Sequence, residues 1–215
     1  MWKAIIFDLD GTLVDTIGDI SFALNETLAR HGFPLRQREE LYRMVGNGMR
    51  NLARLAAPPE TEDAVIDACA AEAAGIYAED PAQYSKPYPG VVKMLKTLWA
   101  SGIPTAIISN KPDRLTQLCV DGVLPGHAFR VVQGERAGVP RKPDPTTSLA
   151  IAATLGVLPS EVLYLGDSDV DMKTALAAGF HAVGAAWGFR GRAELEAAGA
   201  HDIIEKPLDL LGLLG

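Results

Sequence analysis

Lys3-Ala4-Ile5-Ile6-Phe7 is a short apolar run with two adjacent isoleucines, and it ends at once in Asp8-Leu9-Asp10-Gly11-Thr12. An uninterrupted run of this length reads as a strand buried on both faces, the kind found in a parallel sheet covered by helices. Open α/β sheets place their ligands at the C-terminal ends of such strands. Two carboxylates one residue apart at that end, followed by a turn glycine, therefore mark a reactive position. Like charges so close raise each other's pKa, and burying them is costly unless a cation or a shared proton compensates. A metal on Asp8 and a proton on Asp10 would make the first an ionised nucleophile and the second a general acid. An ordinary Asp-Gly turn explains Asp10 and Gly11 but leaves Asp8 without a purpose.

Beyond that strand the pattern turns helical for some seventy residues. Ile20, Leu24, Leu28 and His31 recur at helical spacing up to Gly32-Phe33-Pro34, a second helix fits Arg38 to Leu55, and a third follows the Pro58-Pro59 break from about Thr61 to Ala78. No strand signal interrupts them. After Pro87-Tyr88-Pro89-Gly90 the chain alternates: a helix carrying Val91, Leu95 and Leu98, a strand at Ile103–Ile108, a helix from Asp113, and a strand at Phe129–Val132. A helix at Pro145–Leu155, a strand at Val162–Leu165, a helix at Asp171–Ala178, and strands at His181–Gly184 and Asp202–Ile204 complete it. Alternation of this kind predicts right-handed crossovers and a Rossmann-like parallel sheet. The expected architecture is an α/β core over residues 1–15 and 85–215, with a small all-helical cap over 16–84. Hinges are expected near Asp15-Thr16 and Gln83-Lys86.

Composition excludes several classes. Apolar residues make up 48% and charged residues 22% of 215, ordinary values for a globular chain able to bury a good core. A formal charge of -7 with scattered basic residues disfavours nucleic-acid and membrane-surface partners. Cys69 and Cys119 form no disulfide framework or zinc cluster and read as reduced core thiols. No secretory leader is visible, and charge-free stretches such as Thr174–Phe189 are too short to span a bilayer, so a cytoplasmic location is expected.

Three further motifs fall at strand ends. Ser109-Asn110, followed by Lys111-Pro112 opening a helix, offers side-chain and backbone donors to an anion, although both residue types also serve as ordinary helix caps. In Arg141-Lys142-Pro143-Asp144-Pro145 a lysine before a proline turn could neutralise a phosphoryl oxygen and a nucleophile together. Gly166-Asp167-Ser168-Asp169-Val170-Asp171 clusters carboxylates suited to a hard cation, with Asp169 read as a helix-capping charge.

Phe7-Asp8-Leu9-Asp10-Gly11-Thr12-Leu13-Val14-Asp15-Thr16 resembles the signature of the haloacid dehalogenase superfamily, in its phosphatase branch. The resemblance implies a nucleophile at Asp8, an acid/base at Asp10 and an aspartyl-phosphate formed with Mg2+ bound. Retention of Asp10 argues for phosphoryl transfer over dehalogenation. It further implies phosphate binding by Ser109, Asn110 and Lys142, the lysine being preferred to Arg141 through the K-P-x-P form. Metal ligation falls to Asp8, the backbone carbonyl of Asp10, and Asp167, with Ser168 and Asp171 supporting the site. In the family the strand bearing Asp8 is central, flanked by those ending at Ser109 and Gly166.

Val45-Gly46-Asn47-Gly48-Met49-Arg50 sets two glycines in an otherwise helical run, at ~1 kcal/mol each relative to alanine. A G-N-G stretch of this kind, together with the Ser109–Pro112 and K-P-x-P segments, is similar to phosphoglycolate phosphatases of the superfamily. That resemblance implies a small phosphorylated metabolite as partner, most simply 2-phosphoglycolate. Backbone amides at Gly46, Asn47 and Gly48 would then approach its carboxylate, with Arg50 pairing to it. The loop Trp187-Gly188-Phe189-Arg190-Gly191 could line the entrance. A phosphosugar mutase or pyrophosphatase on the same core, or an inactive binding module, are the rival readings. A monomer or a dimer is expected.

Overall fold

The computed structural model describes residues 2–215. Strand β1 (Ala4–Phe7) is wholly buried and pairs in parallel on both sides, with β4 (Thr105–Pro112) and β6 (Val162–Gly166). β5 (Val131–Glu135) extends the sheet beyond β4, and β7 (His181–Ala185) and β8 (Asp202–Ile204) extend it beyond β6. The order β5-β4-β1-β6-β7-β8 is parallel throughout. Because side chains alternate along a strand, Ile5 and Phe7 enter one core while Ala4 and Ile6 enter the other. The first is covered by α5 (Val91–Ala100), α6 (Asp113–Val123) and the C-terminal turns at Pro207–Leu214. The second lies under α7 (Thr146–Leu155), α8 (Asp169–Ala178) and α9 (Arg192–Ala197). This is the α/β, Rossmann-like parallel sheet that the alternating pattern predicted, with β1 at its centre.

Between β1 and β4 the chain forms α1 (Ile17–Arg30), α2 (Arg38–Met44), α3 (Gly48–Ala56) and α4 (Asp63–Glu79). These helices bury a cluster of their own, including Ile20, Leu24, Leu41, Leu52 and Tyr77, and rest on α6 through Leu115. The single helix expected over Arg38–Leu55 is corrected to two. Gly46 and Gly48 have φ of 121° and 80°, conformations closed to most L-residues, so the pair makes a turn between helices instead of weakening one.

The helical segment is joined by a ribbon that two-residue strands are too short to announce in sequence: β2 (Val14–Asp15) pairs antiparallel with β3 (Lys86–Pro87). Asp19, buried at the start of α1, accepts from the backbone N–H groups of Tyr84 and Ser85, both at 2.8 Å, and from the Ser85 hydroxyl. Both crossings are thus fixed to one another. Several element bounds also differ from expectation, among them the helix expected from Asp171, which opens at Asp169 behind the Ser168 cap. The strand expected at Phe129–Val132 begins at Val131, because Phe129 instead packs edge-on against Phe7 and Trp99. The strand expected at Ile103–Ile108 runs instead over Thr105–Pro112 and takes in Ser109–Pro112, while α6 opens at Asp113 as expected. Both cysteines are free and buried, and among the described residues no helix is long and apolar enough to cross a membrane.

Candidate active site

The C-terminal ends of β1, β4 and β6 open onto one cleft enclosing about 640 Å³ of atom-free space, part of it open to solvent. At its floor Asp8, Asp167 and Asp171 are buried, and one oxygen from each lies within 4.8 Å of the others. Lys142 Nζ donates to Asp8 Oδ1 and to Asp171 Oδ1, each at 2.7 Å. Asp171 also accepts from the Tyr164 hydroxyl at 3.1 Å, the Ser168 hydroxyl at 2.6 Å and the Ser168 N–H at 3.1 Å. Four donors fill a carboxylate's ordinary capacity, so Asp171 anchors Lys142 and has nothing left for a ligand. Ser168 caps α8, which fixes Asp171 in its first turn.

Asp167 differs. Its one protein donor among the described residues is the Phe189 N–H at 2.6 Å, and no cation is paired with it. Gly11, at φ 85°, makes room for this side chain, since a Cβ there would run into the Asp167 carboxylate. Burial, then the charges of Asp171 and Asp8, hold the Asp167 pKa well above the usual carboxylate range. Burial and then Asp171 push Asp8 up to about 7, against the pull of Lys142. For Lys142, burial opposes the charge, but Asp171 and Asp8 outweigh it and hold the pKa well above that of a free lysine. When ionised, three carboxylates against one ammonium leave two negative charges in excess. Hard oxygen donors with uncompensated negative charge fit a hard divalent cation, with Asp8 and Asp167 the carboxylates able to hold it.

On the opposite wall, Lys111 Nζ donates to Asp10 Oδ1 at 2.9 Å and lies 4.2 Å from the centre of the Tyr77 ring. Both pocket lysines are almost fully buried. Ser109 Oγ lies at the cleft, accepting from the Lys111 N–H at 3.1 Å. Asn110 uses its amide group otherwise than expected: Nδ2 donates to the carbonyls of Gly46 at 3.1 Å and Lys142 at 3.0 Å. Both side-chain amide hydrogens being engaged, Asn110 ties the glycine turn to the Lys142 loop and its side chain has no free donor for a phosphate.

That turn is gripped by other side chains of the sheet-bearing part. Arg190 donates to the carbonyls of Arg43 and Val45, each at 2.8 Å, and Arg141 donates to that of Asn47 at 3.2 Å. Gly46, Gly48 and Met49 therefore face the cleft, together with Val45, Leu52 and Phe189. Arg50 does not. It projects from α3 toward α4, pairing with Asp67 at 2.6 Å and Asp63 at 3.2 Å on an exposed surface, because the helix that Gly48 opens turns position 50 away from the cleft. Asn47 likewise contributes its carbonyl to Arg141 and does not line the cleft.

A sequence model described as haloacid dehalogenase-like hydrolase matches residues 5–185, which includes every residue on the cleft floor. The chain belongs to the haloacid dehalogenase-like hydrolases. Among relatives of this hydrolase, a phosphoglycolate phosphatase of Pseudomonas putida is 34% identical over 217 residues, covering 99% of this chain and 78% of the relative. One from Aquifex aeolicus is 30% identical over 213 residues, covering 99% and 96%. Among solved structures, a predicted phosphoglycolate phosphatase of Haemophilus somnus superposes with a TM-score of 0.91 at 25% identity, covering 100% of this chain and 98% of the other.

In this hydrolase, then, motifs far apart in the chain bring Asp8, Asp10, Ser109, Lys142, Asp167 and Ser168 to one cleft, with Asp171 directly beneath. The sequence assigned no role to Lys111, and it placed Arg190 only within a loop lining the entrance, where Phe189 and Arg190 do face the cleft. The one signal for Lys111 was position: it directly follows Ser109-Asn110 at the end of a strand whose last residues line the cleft. Nothing comparable marks Arg190, whose partners are backbone carbonyls 145 and 147 residues away.

Proposed function

We propose that this phosphatase hydrolyses 2-phosphoglycolate, with Asp8 as nucleophile and Asp10 as general acid and base. Asp8 supports this reading most directly. Lys142 occupies its Oδ1, while Oδ2 has no protein donor among the described residues, at the end of the central strand and in an open cleft. Asp8 Oδ2 attacks phosphorus in line, and the bond from phosphorus to the ester oxygen breaks as Asp10 delivers a proton to the departing glycolate. Asp10 then takes a proton from water, which attacks the same phosphorus and returns Asp8 as a free carboxylate. Lys142 has a third N–H beyond those given to Asp8 and Asp171, available to a phosphoryl oxygen beside Ser109. Asp8, Asp167 and the carbonyl of Asp10 would hold Mg2+, which when bound would supply charge neutralisation to the phosphoryl oxygens.

In this reading residues 16–84 act as a cap domain on a core of 1–15 and 85–215, with the β2–β3 ribbon at the crossings and the turn at Gly46 and Gly48 facing the leaving group. The named activity of relatives about one-third identical over nearly the whole chain supports the substrate. A net charge of -7 supports a reading without general nucleic-acid or membrane-surface partners, and in this reading the enzyme is cytoplasmic and monomeric or dimeric.

A phosphate-release screen over small phosphate esters, with and without magnesium, tests the proposal. The highest kcat/KM is expected for 2-phosphoglycolate, with loss of activity in chelator and recovery on adding magnesium. Isomerisation of hexose phosphates without net phosphate release would contradict it.

A further inference from the structure

Three cations face the cleft: Lys142, Arg190 and Lys111. Lys142 serves Asp8 and Asp171 beside the phosphoryl position. The two Arg190 terminal nitrogens are engaged by backbone carbonyls, and its Nε lies 3.7 Å from Glu194. Lys111 is different in kind. An ammonium carries three N–H donors, and the one hydrogen bond it makes among the described residues is to Asp10 Oδ1, with Tyr77 covering another side. A buried ammonium with unused donors, in a cleft that also exposes apolar Val45, Met49, Leu52 and Phe189, is a receptor for an anion.

We propose that Lys111 is the specificity-determining residue of this phosphatase, taking the carboxylate of a substrate whose phosphate sits over Asp8. The inference rests on the phosphoglycolate reading and identifies the residue that makes it selective. Chain chemistry sets the distance. In a 2-phosphoglycolate-like ester the carboxylate carbon is separated from the leaving oxygen by one methylene. A leaving oxygen within reach of Asp10 therefore brings its carboxylate beside the ammonium that Asp10 touches. Arg50, engaged by Asp63 and Asp67 outside the cleft, does not compete for that role. Any ester carrying a carboxylate on the carbon next to the phosphorylated oxygen meets the same requirement, and a neutral ester of equal size does not.

The test compares 2-phosphoglycolate with 2-hydroxyethyl phosphate, which replaces the carboxylate with a neutral alcohol, in wild type, Lys111→Met and Lys111→Arg. The selectivity ratio, kcat/KM for the first over the second, is independent of the fraction of protein folded. It is expected to fall about 10- to 100-fold in Lys111→Met, mainly through KM for phosphoglycolate, with partial recovery in Lys111→Arg. If wild type favours the carboxylated ester and Lys111→Met keeps the same ratio while both activities fall together, Lys111 serves Asp10 alone and the inference is overturned, the substrate reading standing. If wild type itself shows no preference for the carboxylated ester, both fail.

Discussion

Asp8→Asn is expected to lower kcat about 10⁴-fold or more while leaving the fold intact, because an amide oxygen is a poor nucleophile toward phosphorus and no other side chain is placed to substitute. The structure makes the second half of that expectation specific. Asp8 is one of three buried carboxylates crowded within 4.8 Å, so removing one charge relieves repulsion even as it loses the contact to Lys142. Thermal unfolding of the metal-free variant should therefore match or exceed that of the metal-free wild type. Steady-state kinetics together with a melting curve check both halves. Normal turnover in the variant would remove Asp8 from the chemistry.

Lys142→Met has the opposite signature on stability. It deletes the ammonium lying between Asp8 and Asp171, leaving carboxylates buried without a cation, a loss of ~3–5 kcal/mol for a broken buried pair. Activity should fall ~10²–10³-fold as well, since charge on the transferring group is then less offset. The pH dependence follows from Asp8, raised from 3.8 to about 7. A carboxyl group whose folded pKa lies above its unfolded value contributes stability at low pH, below 3.8, and that contribution is lost as pH rises through about 7. Metal-free wild type should thus lose this part of its stability between those limits, and stabilisation by added magnesium should grow across the same window. In Lys142→Met the decline should extend to higher pH and be larger in total, since the lysine no longer pulls the Asp8 pKa down. A flat pH profile, or a variant as stable as wild type at pH 8, would contradict the placement of the lysine as counter-ion.

The parts of the molecule legible in sequence are those where one residue's environment is set by its own strand. The all-apolar Ala4–Phe7 run marks a strand covered on both faces, and acidic residues just past strand ends mark ligand positions, while the central place of that strand and the common rim followed from the family resemblance. Residues whose role depends on a distant backbone were not legible. Asn110 looks like an anion donor in isolation, yet its amide is consumed by carbonyls at Gly46 and Lys142. Arg50 follows the glycine turn closely enough to suggest a ligand, but helical geometry carries it to Asp63 and Asp67. The ribbon of β2 and β3 is two residues deep, below the length at which any periodicity can register.

The central claim is that the phosphoryl group passes through the Asp8 carboxylate. Rapid mixing with 2-phosphoglycolate and magnesium, acid quench, borohydride reduction and peptide mass spectrometry address it directly, because reduction of an acyl phosphate converts the aspartyl side chain to that of homoserine. Homoserine at position 8, absent without substrate, is the predicted result. Reduction at a different residue, or an unmodified position 8 during active turnover, would contradict the account.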